Sequence, residues 1–194
     1  MTVSRDVVFS AKAQTVEPHP LTDLSVLDTF STGHDALAGD PCRRLFYSPV
    51  DDLHGALTYV LASAQRSLVV AMFGFDDQDL ADILKEKLED PSIYVQLTLD
   101  SSQAAGVHEK AILAAEGYPN SSIAIGRSEK GAIMHLKTAV VDAACVVHGS
   151  TNWSAGGEDL QDNELQVLLD PREAAIVTTR IAAIHTHMLA TAKA

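Results

Sequence analysis

The chain has 194 residues, enough for one domain with a sizeable buried core. Hydrophobic residues make up 46% and charged ones 21%, the balance of a globular protein, and no apolar run approaches the about 20 residues that span a bilayer. The net charge of −12 excludes a generic nucleic-acid coat protein, whose binding needs clustered Lys and Arg, but leaves room for a small basic cleft.

The N-terminal segment is broken by charge and lacks the apolar stretch of a secretory signal. Cys42 and Cys145 read as two separate thiols rather than a disulfide, and both features lead to an expected cytoplasmic location. Residues 1–40, rich in Ser, Thr, Asp, Gly and Pro, are expected to be an N-terminal arm of unknown role, with one short helix between Leu21 and Leu37. Residues 41–194 hold the folded domain.

Within that domain, Leu45 to Tyr47 reads as a strand, and Asp51 and Asp52 open a helix to about Ala64 with one apolar stripe. Ser67 to Phe73 is a short apolar run, the pattern of a buried strand. Asp76 to Leu88 has helical spacing, and Asp76 to Asp90 reads as a solvated helix face rather than a metal site. Tyr94 to Leu99 is a strand, and Ser101 to Glu116 a helix stopped by Gly117. Ser122 to Ile125, His135 to Asp142, Cys145 to His148 and Glu164 to Leu169 are further strands, and Arg172 to Ala192 a closing helix. The expected fold class is α/β, a mixed sheet with helices on both faces.

The chemistry concentrates between Ile133 and Gly157. On a strand, His135 and Lys137 share a face, whereas Asp142 has the opposite parity and reads as a structural anchor. A two-residue loop at Ala143-Ala144 would set Lys137 opposite Ser150 and His135 opposite Asn152, gathering four polar groups on one patch. A loop longer by one residue would flip the faces. Arg127, Lys130 and Lys137 outnumber Glu129 here, so the local charge is positive on an acidic chain. Trp153 reads as core, His148 as structural, and Gly156-Gly157 as either a rim loop or a turn.

The run HxKxxxxD followed by GSTNW resembles the HKD motif of the phospholipase D superfamily, with His135, Lys137 and Asp142, then Gly149, Ser150 and Asn152 in the matching places. In order of elements the resemblance covers Leu45 to Leu169, and its diagnostic part is Met134 to Glu164. It implies a phospholipase D-like fold for residues 41–194. Since no second HxKxxxxD occurs, it also implies a homodimer with the active site across the two-fold axis, as in bacterial Nuc-type endonucleases.

The resemblance assigns His135 as the nucleophile that forms a phosphohistidine, and Lys137, Ser150 and Asn152 as the phosphate holders. Glu164 matches the acidic residue that orients a motif histidine, although its distance from Asn152 is one residue longer than in Nuc-type members. Asp142 and Gly149 carry over as structural support. No metal and no cofactor are implied: the remaining histidines, His185 and His187 included, show no ligand set at zinc spacing. The expected activity is a metal-independent phosphodiesterase, foremost an endonuclease on DNA or RNA. The alternatives are a phospholipase D acting on phospholipid headgroups, which would call for an exposed apolar rim or an interfacial helix, no amphipathic basic helix being present in the sequence to serve, and a non-catalytic phosphate-binding homologue.

Overall fold

The computed structural model describes residues 19–32, 40–103, 119 and 121–192. From residue 104 the expected helix Ser101 to Glu116 lies outside them, as do residues 1–18 and 33–39 of the expected arm. Within the rest of that arm, Ser25–Phe30 forms a 3-10 turn whose Leu27, with Leu24 before it, is fully buried.

Strands β1 (Arg43–Ser48), β2 (Ser67–Met72), β4 (Tyr94–Asp100), β5 (Ile123–Gly126), β6 (Lys137–Val141), β7 (Cys145–Gly149) and β9 (Asn163–Leu169) form one mixed sheet in the order β1-β9-β7-β6-β2-β4-β5. Strands β2, β4 and β5 run parallel, and the rest of the ladder is antiparallel. Two short strands, β3 (Phe75–Asp76) and β8 (Trp153–Ser154), pair in parallel beyond the sheet.

Helices cover both faces, which is why β2 reads as an unbroken apolar run instead of an alternating one. Leu68, Val70 and Met72 of β2 pack under α1 (Leu53–Ala62) and α2 (Gln78–Glu89). Val69 and Ala71 point the other way, toward Ile181, Ile184 and Met188 of α3 (Pro171–Thr191). Each helix starts where an aspartate takes up a free backbone N–H: Asp52 accepts from Gly55, Asp77 from Leu80, and Asp170 from Arg172 beside Pro171.

The β6–β7 hairpin differs from the expected one. Val141 pairs with Cys145 and Thr138 with His148, so the loop has three residues, Asp142 to Ala144. Lys137 therefore does not face Ser150, nor His135 Asn152. Asp142 causes the shift. Its Oδ1 accepts from the backbone N–H groups of Arg66 (2.7 Å) and Ser67 (2.9 Å), which draws it out of the strand into a left-handed conformation (φ 53°). Ala143 follows at φ 56°, and the Ala144 N–H closes the turn on Val141 O. Asp142 thus ties the hairpin to the start of β2.

Candidate active site

The site lies where β2 and β4 end and β6 begins. His135 sits just before β6, exposed, its ring edge-on to Phe73 at 4.6 Å between centroids. Lys137, the first residue of β6, is buried, with Nζ 4.9 Å from the Phe73 ring centroid and donating to His135 O at 3.1 Å. Burial pushes its pKa below the ordinary lysine value, and no carboxylate pairs with it among the described residues. A desolvated, unneutralised ammonium beside an exposed imidazole is a receptor for an anion.

Asn152 arrives by a different route from the expected hairpin pairing. After Gly149 the chain leaves the main sheet, and the Trp153 N–H donates to Gly74 O at 2.9 Å as β8 joins β3. On the other side of the same segment, the Phe73 N–H donates to Leu136 O at 2.9 Å. Phe73-Gly74 is therefore a bridge, with His135 and Lys137 on one flank and Asn152 on the other. A Cβ at Gly74 would lie 2.8 Å from Asn152 Cγ, so glycine is needed for this approach. The Asn152 Oδ1 is buried and has no hydrogen-bond partner among the described residues. Such an orphan acceptor is costly and marks a place for a donor.

The loop before His135 is held from below. Asp100, at the end of β4, is fully buried. Its Oδ2 accepts from the Met134 N–H at 2.6 Å, and its Oδ1 accepts from the Ser102 N–H and hydroxyl. Burial alone would raise its pKa; these hydrogen bonds outweigh it and hold the carboxyl below the ordinary range. Asp100, Met134, Phe73 and Gly74 carry no motif of their own, and only the folded chain shows that they position the site.

Ser150 and Glu164 form a second, exposed cluster. The Ser150 hydroxyl donates to Asn163 Oδ1 at 2.8 Å and accepts from the Glu164 N–H at 3.1 Å. With Tyr47, Val50 and Asp162 they line a groove of about 360 Å³. Among the described residues neither makes a hydrogen bond or ion pair with His135 or Lys137. Gly149 lets this part form: a Cβ there would be 2.1 Å from Glu164 O.

A third group joins His54 and Glu158, which had no expected role, to Asp77 and Asp79 of the segment read as a solvated face; Asp77 is instead largely buried, with 12% of its side chain exposed. His54 Nδ1 lies 2.7 Å from Glu158 Oε2 and 3.5 Å from Asp77 Oδ2, and its Nε2 is 3.3 Å from Asp79 Oδ2. The hydrogen bond to Glu158, followed by the nearby Asp77 charge, raises the His54 pKa to about 9 against the cost of burial. Glu158 belongs to a single π-helical turn, Gly156–Leu160, directly after β8. His54 and Glu158 are 104 positions apart, so no local spacing could reveal them.

Comparison with known proteins agrees with this layout. Residues 57–184 match the family described as "Cardiolipin synthase, PLD-like domain". The chain belongs to the phospholipase D-like family. A curated relative, the mitochondrial cardiolipin hydrolase of Chlamydomonas reinhardtii, is 28% identical over 112 residues, covering 58% of this chain and 48% of the relative. The chain thus spans about half the length of that protein.

Among solved structures, NucT from Helicobacter pylori superposes with a TM-score of 0.62 at 23% identity, covering 73% of this chain and 94% of that one. Nuc from Salmonella typhimurium, a phospholipase D family member, gives 0.61 at 20% identity, covering 73% and 92%. Phosphatidylserine synthase from Haemophilus influenzae gives 0.53 at 12%, covering 74% and 38%. At these identities the likeness establishes the fold: the mixed sheet with helices on both faces is the phospholipase D-like one. Among the described residues no helix is long and apolar enough to cross a membrane.

Proposed function

We propose that the chain is a metal-independent phosphodiesterase, acting as a homodimer through a phosphohistidine, with DNA or RNA as the foremost substrate. The observation that carries this reading is the pairing of exposed His135 with the buried, unpaired Lys137 ammonium. The first supplies a nucleophile and the second a fixed positive charge for the phosphate oxygens. Asn152, packed against Gly74 on the other flank of the Phe73-Gly74 bridge, completes the set.

In the first step the His135 imidazole attacks phosphorus, and the P–O bond to the leaving group breaks. The partner subunit's His135 gives its proton to the departing oxygen. In the second step that histidine takes a proton from water as the water attacks the phosphohistidine, which restores the free imidazole. One positioned acid or base contributes about 10²–10⁴-fold, and one oxyanion donor about 10²–10³-fold. A single copy of the motif falls well short of what phosphodiester hydrolysis demands, which supports two copies across a two-fold axis. In this reading Ser150 supports the phosphate site and Glu164 orients the partner subunit's His135 across the interface.

A phospholipid substrate is the second reading, favoured by Ile133 and Leu136, which stay exposed on either side of His135 and supply the apolar rim that a lipid enzyme needs. The name of the curated relative points the same way.

The test is incubation of the purified protein in excess EDTA with labelled single- and double-stranded DNA and RNA, and in parallel with cardiolipin vesicles, beside a His135→Ala control. Cleavage of a polymer that survives EDTA and disappears in the variant is the expected result. Turnover of the vesicles alone replaces the nuclease reading with the lipid one. No turnover of either, by a protein that sediments as a dimer, overturns both.

A further inference from the structure

Away from His135, the cluster around His54 holds more negative charge than its hydrogen bonds can balance. Asp77, Asp79 and Glu158 all turn an oxygen toward one imidazole, so even a protonated His54 leaves an excess of anionic oxygen. Glu158 is 1% exposed, and its second oxygen, Oε1, has no hydrogen-bond partner among the described residues. A buried carboxylate with one oxygen unsatisfied is expensive unless a cation or donor meets it.

We propose that His54, Asp77 and Glu158 form a binding site for one divalent transition-metal ion, Zn²⁺ in preference to Mg²⁺ or Ca²⁺. The donor set is one imidazole nitrogen and two carboxylates, with water free to fill the remaining position. The imidazole favours Zn²⁺ over the hard ions, which take oxygen alone. One donor atom from each of the three residues lies within 4.8 Å of the others. Tetrahedral Zn²⁺ needs edges of about 3.4 Å, reached by small side-chain rotations.

The donors are already fixed in place. Asp77 uses Oδ1 to cap α2, which aims Oδ2 at His54. Glu158 is set by its π-helical turn, a backbone form that often accompanies functional sites. The ion takes the place of the imidazole proton at Nδ1 and ties the start of α1, the start of α2 and the π turn together. That turn abuts the active site, since a Cβ at Gly157 would stand 2.4 Å from Asn152 O. The role is structural, so cleavage in EDTA at temperatures well below Tm is unaffected. Ion binding does not rest on the phosphodiesterase reading, because it is measured without substrate.

The experiment is calorimetric titration of tag-free, chelator-stripped full chain with ZnCl₂. One ion per chain is expected, with a rise in Tm of several degrees. Glu158→Gln and His54→Gln weaken binding more than 10-fold, and His135→Ala leaves it unchanged. Should either of the first two fail to fold, Asp77→Asn keeps the α2 cap and still loses a ligand. X-ray absorption on the wild-type complex then reads the ligand set: one imidazole with oxygen neighbours supports the site, whereas sulfur scattering from Cys42 or Cys145 overturns it. Absence of heat and of any Tm change, or full binding in all three cluster variants, shows an internal ion pair only and sinks the proposal.

Discussion

Asp100 Oδ2 accepts a hydrogen bond from the backbone N–H of Met134 at 2.6 Å, one residue before His135. Because Ser102 occupies the other oxygen, both oxygens of this carboxylate are committed to donors. Asp100→Asn must turn an NH₂ toward one of them. The expected loss is about 1–3 kcal/mol of stability, measured by urea unfolding, with a fall in turnover as the His135 loop loosens. The wild-type carboxyl titrates below its ordinary value of 3.8, so its contribution is present above that pH and disappears as pH falls below it. The variant is expected to lack this acid limb.

Lys137 offers the opposite balance. It is buried without a carboxylate partner, and its side chain lies along Phe73. Lys137→Met keeps the length and removes a desolvated charge. Stability is expected to stay level or rise by about 1 kcal/mol, while turnover falls about 10²–10³-fold. Paired unfolding and activity measurements check both; a variant that loses stability and keeps activity contradicts the phosphate-clamp role.

Two glycines separate backbone from side-chain crowding. At Gly149 an added methyl meets the Glu164 carbonyl, which cannot rotate away, and Gly149→Ala is expected to cost about 1–3 kcal/mol or more. At Gly74 the obstacle is the Asn152 side chain, which can swing aside. Gly74→Ala is therefore expected to leave Tm nearly unchanged but to lower turnover at least 10-fold, through a displaced amide.

His185 governs the mildly acidic range. Its Nε2–H donates to Ser121 O at 2.7 Å, and its Nδ1 lies 2.9 Å from the Thr98 hydroxyl in a buried site. Burial pushes its pKa below the ordinary 6.5. The unfolded chain therefore binds the proton first, and stability is full above about 6.5 and declines as pH falls below it. Tm measured from pH 6.5 to 5, where the His54 contribution is constant, is expected to drop, with a flatter profile in His185→Gln.

Much of the fold was legible because burial on both faces writes short apolar runs into β2 and β4, and the start of α1 advertises itself through Asp51 and Asp52. The motif histidine and lysine were equally plain. The hairpin register was not, since one side chain, Asp142, reaches across to Arg66 and Ser67 and lengthens the loop. Nor was the place of Asn152, which depends on two-residue strands too short to leave a periodic pattern. Ser150 and Glu164 sit on an exposed rim whose relation to His135 is not local to either segment. Phe73, Asp100 and His54 act through neighbours that are distant in sequence, a kind of information that spacing does not carry.

Strand β9 slots between β7 and β1, and Arg43 in the first strand reaches Gln166 across 123 positions. During synthesis β1 must therefore wait for nearly the whole chain before its ladder exists, whereas β6 and β7 meet as soon as their hairpin emerges. Contacts so far apart in sequence form slowly and leave strand edges open in the interval. His135 and Lys137 are thus laid down early, by near neighbours. The Ser150–Glu164 rim arrives last, with β9, and a nascent chain halted before that strand would carry the motif with an edge exposed to aggregation.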